Sequence, residues 1–269
     1  MNAETEPVAL RRARLVLAYD GAGFHGFAET SGQRTVMGDL RAAVERVARV
    51  PVVLVGAGRT DAGVHAWGQV ISGDLPADVD LELLQHRLNR MCSPAIVVRS
   101  AEWCGDPDFS ARFSARHRHY RYHVHGGPVA VPALAATVWH VPHELELFTM
   151  RLACDPLIGE HDFSSFCRAP KTPKPASGEV TLEPPSLRRR VLLAQWTALD
   201  SDYGPLLRFE IRANAFCHQM VRSIVGTMVD IGQGKLRAGE MRSILERRDR
   251  SAAGQVAPPH GLSLWEVGY

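Results

Sequence analysis

The residues best placed to do chemistry lie in Gly58-Arg59-Thr60-Asp61-Ala62-Gly63-Val64-His65, after the apolar run 52–55 and before the alternating stretch 66–71. A carboxylate and a guanidinium share a turn bounded by glycines. Glycine lets the backbone take conformations closed to other residues and lets a ligand come close. Asp61 is therefore presented rather than absorbed into a regular element. Arginine and aspartate so placed suit anion recognition combined with acid–base or nucleophilic work; the plainer alternative is a tight turn with Arg59 at the surface. Two familiar glycine motifs are excluded. Gly58-x-x-x-x-Gly63 has P-loop spacing, but Val64-His65 stands where Lys-Ser/Thr is required. Gly56-x-Gly58 opens like a dinucleotide fingerprint, yet a strand-like pattern follows where a helix should begin.

Residues 111–125 form a second candidate, with four arginines, four histidines, two tyrosines and no acid. As a strand, they would put Tyr120, Tyr122 and Val124 on one face and His117, His119, Arg121, His123 and His125 on the other. Cations for phosphates interleaved with flat rings for bases suit single-stranded or flipped-out RNA. A His-x-His row can also chelate zinc. Arg121 interrupts that row with a positive charge and no carboxylate lies nearby in sequence, so no metal is expected. Arg222 falls among Val221, Ile224 and Val225 in an apolar helical run. Buried there it needs a partner; otherwise it snorkels to the surface. Arg188-Arg189-Arg190 and Arg247-Arg248 are shorter basic runs, the latter reading as a solvated helix end.

These residues need a frame. Residues 14–19 read as a strand, 21–32 with four glycines as a loop, and 35–50 as a helix with Val36, Leu40, Val44 and Val47 at helical spacing. Strands follow at 52–55 and 65–72, a helix at 81–91 and a strand at 95–102. The second part repeats the texture, with a strand at 115–124, a helix at 143–155, strands at 187–199 and 206–213, helices at 216–231 and 237–248, and a closing strand at 262–267. Residues 170–186, with five prolines and two lysines, read as an irregular loop. A soft boundary near Asp108 divides the chain into an N-terminal half, 8–108, and a C-terminal half, 109–269.

Composition narrows the class. The 269 residues are 45% hydrophobic, enough for a substantial core. A net charge of +2 announces no polyanion partner by itself, so local clustering must carry that inference. No apolar run reaches bilayer-spanning length, and residues 1–10 do not read as a secretory signal. Cys92, Cys104, Cys154, Cys167 and Cys217 are widely spaced and odd in number, which argues against a disulfide framework or a cysteine zinc site. Reduced thiols in a cytoplasmic protein are expected, with Cys217 a packing residue.

The octapeptide 58–65 resembles the signature of the TruA family of tRNA pseudouridine synthases. Further matches follow in order: Tyr19-Asp20-Gly21, residues 109–115 before Tyr120-Arg121-Tyr122, residues 162–166, residues 213–226 and the terminal Gly261-Leu262-Ser263-Leu264. The resemblance implies an α+β fold: two ferredoxin-like halves joined into a continuous, mixed or antiparallel sheet, with helices on one side and a central cleft. It implies isomerisation of uridine to pseudouridine in the anticodon stem-loop of tRNA, at positions 38–40, by a homodimer that uses no cofactor. The expected partner is tRNA, without DNA or membrane. Asp61 matches the family's catalytic carboxylate, which could attack the sugar, attack the base or remove a sugar proton. Arg59 matches the arginine that enters the RNA as the target base is flipped. Tyr120 matches the tyrosine that packs on that base. Arg222 matches the arginine that pairs with the aspartate. His218 is assigned no catalytic role.

Two places depart from the family pattern. The first loop usually carries Gly-Trp followed by glutamine, and in this chain reads Gly26-Phe27-Ala28-Glu29; the next helix often begins Val-Gln, and in this chain reads Val36-Met37. Both lie in the part the family uses near RNA, so altered substrate affinity or choice is expected. Two rival classes remain at this level: a non-catalytic RNA-binding module, and a metalloenzyme built on the His117–His125 row.

Overall fold

The computed structural model describes residues 9–168 and 186–269, which leaves nearly all of the proline-rich stretch 170–186 outside the described residues. In chain order the elements are β1 (Leu10–Tyr19), α1 (Val36–Ala48), β2 (Leu54–Gly56), β3 (His65–Pro76), α2 (Leu81–Cys92), β4 (Ile96–Trp103), β5 (His117–Gly126), β6 (Trp139–Val141), α3 (Leu147–Leu152), β7 (Gly159–Asp162), β8 (Arg188–Leu199), β9 (Leu206–Ala213), α4 (Met220–Gly232), α5 (Glu240–Arg247) and β10 (Leu262–Gly268). This is an α+β chain. Its described residues divide into two compact units, one running to Arg116 and taking back Ser263–Tyr269, the other His117–Leu262.

In the first unit the strand order is β4-β1-β3-β10, with β2 on the end of β3. β1 pairs antiparallel with β3 and β4, and β10 joins β3 in parallel. Along β1 the side chains of Ala13, Leu15, Leu17 and Tyr19 are buried and those between are not, the period-two signature of a strand covered on one face. The apolar stripes of α1 and α2 complete the core: Val36, Leu40 and Val44 on one, Leu81, Leu84 and Leu88 on the other. Both helices start on side-chain caps. Thr35 accepts from the Gly38 amide at 3.2 Å, and Asp80 from the Glu82 and Leu83 amides at 2.9 and 3.1 Å.

In the second unit the order is β5-β9-β8-β7, all antiparallel, with β6 parallel to the end of β5. Every residue of α4 except Arg222 and Asp230 is buried. It packs against α3, and Trp196 of β8 donates its indole N–H to the Met228 sulfur at 3.0 Å.

Three helices are shorter than periodicity predicts. α3 spans Leu147–Leu152 rather than 143–155. Glu146 caps it through the Phe148 amide at 3.1 Å, and Pro156 has no N–H with which to continue the helical ladder. α4 begins at Met220 rather than 216, because Gln219 takes a left-handed conformation (φ 64°) just before it. α5 begins at Glu240 and ends where Arg248 turns left-handed at φ 54°. No local pattern announces β6 and β7. They are three and four residues long and acquire strand form only from β5 and β8 beside them.

Candidate active site

The Gly58–His65 segment links β2 to β3 in the first unit. Its residues alternate: Arg59 is exposed, Thr60 buried, Asp61 half-buried. Three hydrogen bonds pin it from behind. The Gln69 side-chain amide donates to the Gly58 carbonyl at 2.9 Å. The Thr60 hydroxyl lies 2.8 Å from the Tyr19 hydroxyl. The Phe27 amide donates to the Thr60 carbonyl at 3.1 Å. Beyond Asp61 the chain turns back, the Val64 amide donating to the Asp61 carbonyl at 3.1 Å. Gly63 takes φ +77° in that turn, where a side chain would be strained. A register shift in the β1–β3 pairing between Leu17 and Tyr19 brings Tyr19 opposite Ala66, at the start of the strand that leaves the turn.

The first loop supports the same turn. A Cβ on Gly21 would stand 2.2 Å from the Val64 carbonyl oxygen, so only glycine lets the two backbones touch. The Gly21 amide donates to His65 Nδ1 at 3.1 Å. Phe27, one of the departures from the family pattern, is 3% exposed and stacks on Tyr19 with ring centroids 6.1 Å apart. Met37, the other, is also buried. These two side chains are thus core changes behind the turn, whereas Glu29 in the same departing loop is exposed and paired with Arg41 at 2.8 Å. Burial pushes the Tyr19 phenol up to about 12, against the pull of hydrogen bonds with Thr60 and Gln69, so it stays protonated throughout the physiological range.

Tyr120 and Arg222 belong to the second unit. Tyr120 is buried on β5 and meets Phe216 edge to face, with centroids 5.0 Å apart. Arg222 is half-buried in the first turn of α4. Its Nε donates to the Ala257 carbonyl at 2.7 Å, while the Ala257 amide donates back to the Arg222 carbonyl at 3.0 Å. The guanidinium of this apolar helix is therefore tied to a strap, residues 257–259. Tyr122 is tied to the same strap, donating to the Pro258 carbonyl at 2.7 Å. Burial pushes the Tyr122 phenol far up, and the Arg222 charge pulls the other way. Arg59 and Asp61 thus share one turn, Tyr122 and Arg222 share the strap, and Tyr120 stands two residues before Tyr122 on β5. His218 is exposed ahead of α4, its carbonyl accepting from the Arg168 amide at 3.0 Å.

The basic row of β5 is not the open cationic strip its composition suggested. β9 brings Glu210 opposite Arg121, a carboxylate far away in sequence. Glu210 is 5% exposed and receives Arg121 at 2.7 Å, Arg208 at 3.1 Å and Gln195 at 3.2 Å, with His119 Nε2 at 3.4 Å. Burial acts to raise the Glu210 carboxyl, but the hydrogen bonds from Gln195 and Arg121 and the arginine charges outweigh it and hold it below its ordinary range. His123 is pushed down to about 4, first by burial and then by Arg208 and Arg121, so it is neutral at pH 7. His125 is buried, its Nδ1 3.0 Å from the Pro205 carbonyl. Much of this charge is spent inside the unit. A pairing partner 89 residues away leaves no local signal by which sequence could have found it.

Residues 15–114 and 153–269 match a family model described as tRNA pseudouridine synthase. The chain is similar to the tRNA pseudouridine synthase A of Brevibacillus brevis, 39% identical over 260 residues that cover 97% of this chain and all of that protein. It is likewise similar to that of Frankia casuarinae, 41% identical over 265 residues covering 97% and 90%. The Bacillus subtilis protein of the same name is 38% identical over 262 residues covering 96% and 99%.

Proposed function

Because the chain belongs to the tRNA pseudouridine synthase family, and so isomerises uridine in tRNA to pseudouridine, we propose that Asp61 is the carboxylate that carries the reaction. The isomerisation breaks the C–N glycosidic bond, turns the base and closes a C–C bond. Every atom of the product is present in the substrate, so the chemistry asks for no redox carrier or group donor. It asks for a carboxylate held at the sugar and base, and for groups that hold the base while it is free. The observation that supports Asp61 is the pinned turn. Its neighbour Thr60 is held by Tyr19 and the Gly58 carbonyl by Gln69, which fastens the backbone that carries Arg59 and Asp61.

A uridine stacked in a helix is out of reach of any side chain and must be extruded. Arg59, exposed beside Asp61, is the group suited to enter the RNA during that step. Tyr120 supplies a ring for the target base, and Arg222 a guanidinium for substrate, held at its Nε by the strap. The substrate region is the anticodon stem-loop, at positions 38–40. The working form is a homodimer in the cytoplasm, where tRNA is available. Among the described residues, no helix is long and apolar enough to cross a membrane.

Tritium release from tRNA labelled at uracil C5 tests the assignment directly. Asp61→Asn should lower the rate by about a thousandfold or more, with tRNA affinity within about threefold of the parent, the pattern of a group used in chemistry rather than in binding. Retained turnover would remove Asp61 from the mechanism. Mapping the product should place pseudouridine on the 3′ side of the anticodon stem-loop, and modification elsewhere would overturn the target. Sedimentation at micromolar concentration should report two copies.

A further inference from the structure

We propose that Tyr19 and Gln69 are positioning residues for this reaction: with Thr60 they fix the backbone from Gly58 to Asp61, and so set where the Asp61 carboxylate and the Arg59 guanidinium stand. This rests on the reading of Asp61 as the reacting carboxylate. Neither residue lies in the signature turn. Tyr19 ends β1 and Gln69 lies in β3, and the fold brings both beneath the turn.

The geometry is closed on every side. Tyr19, Thr60 and Gln69 are 4%, 7% and 0% exposed, so water does not compete for their polar atoms. Gln69 can be oriented in only one way by its partners. Its amide nitrogen faces the Gly58 carbonyl, which can only accept, and its oxygen accepts from the Val70 amide at 3.2 Å. Gln69 thus holds the Gly58 end of the segment and Tyr19 holds the Thr60 side chain, two buried fastenings on one turn. Buried networks satisfied in this way specify one arrangement, because each alternative leaves a polar group unpaired.

The consequence for the reaction follows from the alternation along the turn. Thr60 is buried between exposed Arg59 and half-buried Asp61, so holding its side chain fixes the peptide units that carry both. Release of Thr60 permits rotation of the peptide units that flank it, and both functional groups move together. A misplacement of about 1 Å costs on the order of a hundredfold in rate, whereas loss of one buried hydrogen bond removes only a small part of a fold's stability. The effect on turnover should therefore far exceed the effect on folding.

The test is kcat and KM for tritium release from tRNA, with thermal melting alongside. Tyr19→Phe keeps the ring and its stacking on Phe27 and removes one oxygen. It should lower kcat by about 10- to 100-fold with KM within about threefold. Thr60→Val should do the same and Thr60→Ser should stay within about threefold of the parent. The Tyr19→Phe/Thr60→Val double variant should lose little more than either single one, since both break the same bond. Gln69→Leu should lower kcat to a similar degree. Parental kcat in Tyr19→Phe, or equal kcat in Thr60→Ser and Thr60→Val, overturns the positioning role. The serine–valine comparison stands even where Tyr19→Phe does not fold. Asp61→Asn, assayed in parallel, separates the two claims. An active Asp61→Asn sinks the reading of Asp61 itself; an inactive one beside a fully active Tyr19→Phe sinks only the positioning role of Tyr19 and Gln69.

Discussion

The Gly58–His65 turn and strand β5 hold the two densest runs of chemistry-bearing residues, and the fold treats them in opposite ways. The turn is pinned by neutral hydrogen bonds from Gln69, Tyr19 and Phe27, and its own charged groups are not used to hold it in these contacts. In β5 the charge is itself the fastening. Arg121 is drawn onto a buried Glu210 that also takes Arg208, and His123 is held neutral. Neutral bonds fix the backbone of the turn without drawing on charge. Charged bonds between buried partners consume it. Density of basic residues is thus a poor guide to a nucleic-acid surface when a carboxylate can arrive from a neighbouring strand.

Substitutions can break this contrast. Glu210→Ala should have the largest effect on stability. It strips a carboxylate that two half-buried guanidinium groups face, at a cost of about 3 kcal/mol, read as a lower urea midpoint. A midpoint unchanged from the parent would mean that β5 is not held by charge. Gly21→Ala comes next. Its Cβ would meet the Val64 carbonyl, and backbone must yield at a cost of about 1–3 kcal/mol. Activity should fall further than that figure suggests, because the displaced backbone is that of the turn itself. Equal loss of rate in Gly21→Ala and Glu210→Ala would erase the distinction drawn between the two regions.

Acid sharpens the comparison further. The Glu210 carboxyl is held below its unfolded value, so its contribution is fully present above the unfolded pKa and vanishes as pH falls through the folded one. The stability gap between the parent and Glu210→Gln should therefore be constant from pH 7 to about 5 and shrink below about pH 4. A gap that persists at low pH would assign the effect to packing. The smallest change is expected for Tyr122→Phe, which removes one buried hydrogen bond to the Pro258 carbonyl and should cost about 1 kcal/mol. Because Arg222 is tied to the same strap by Ala257, a loss of tRNA affinity in this variant would show that the strap also places Arg222.

Much of the architecture was legible in the chain. The alternation of β1, the helical spacing of α1 and α2 and the whole of β9 emerge from local pattern, because each buries one face and must repeat with its own period. The ends of α3, α4 and α5 were not legible. They depend on caps, on Pro156 and on left-handed residues at Gln219 and Arg248, where tertiary contacts override an apolar run. At the candidate site, Asp61 and Arg59 stand out by residue type and spacing alone. Tyr19 appeared only as part of a matching motif and Gln69 only as a polar residue in a strand, for their roles exist only once β1 and β3 lie beneath the turn.

By itself, then, the chain determined its family and its α+β class, and it singled out Asp61 as the candidate carboxylate. Those properties reside in local periodicity and in motifs read in order. Only the tertiary structure decided which polar groups hold the turn and which basic residues are neutralised internally. Partners such as Thr60 with Tyr19, 41 positions apart, and Arg121 with Glu210, 89 apart, are fixed by strand register and burial rather than by nearness in sequence. The strength of each contact depends on water being excluded around it, a condition that only the folded chain creates.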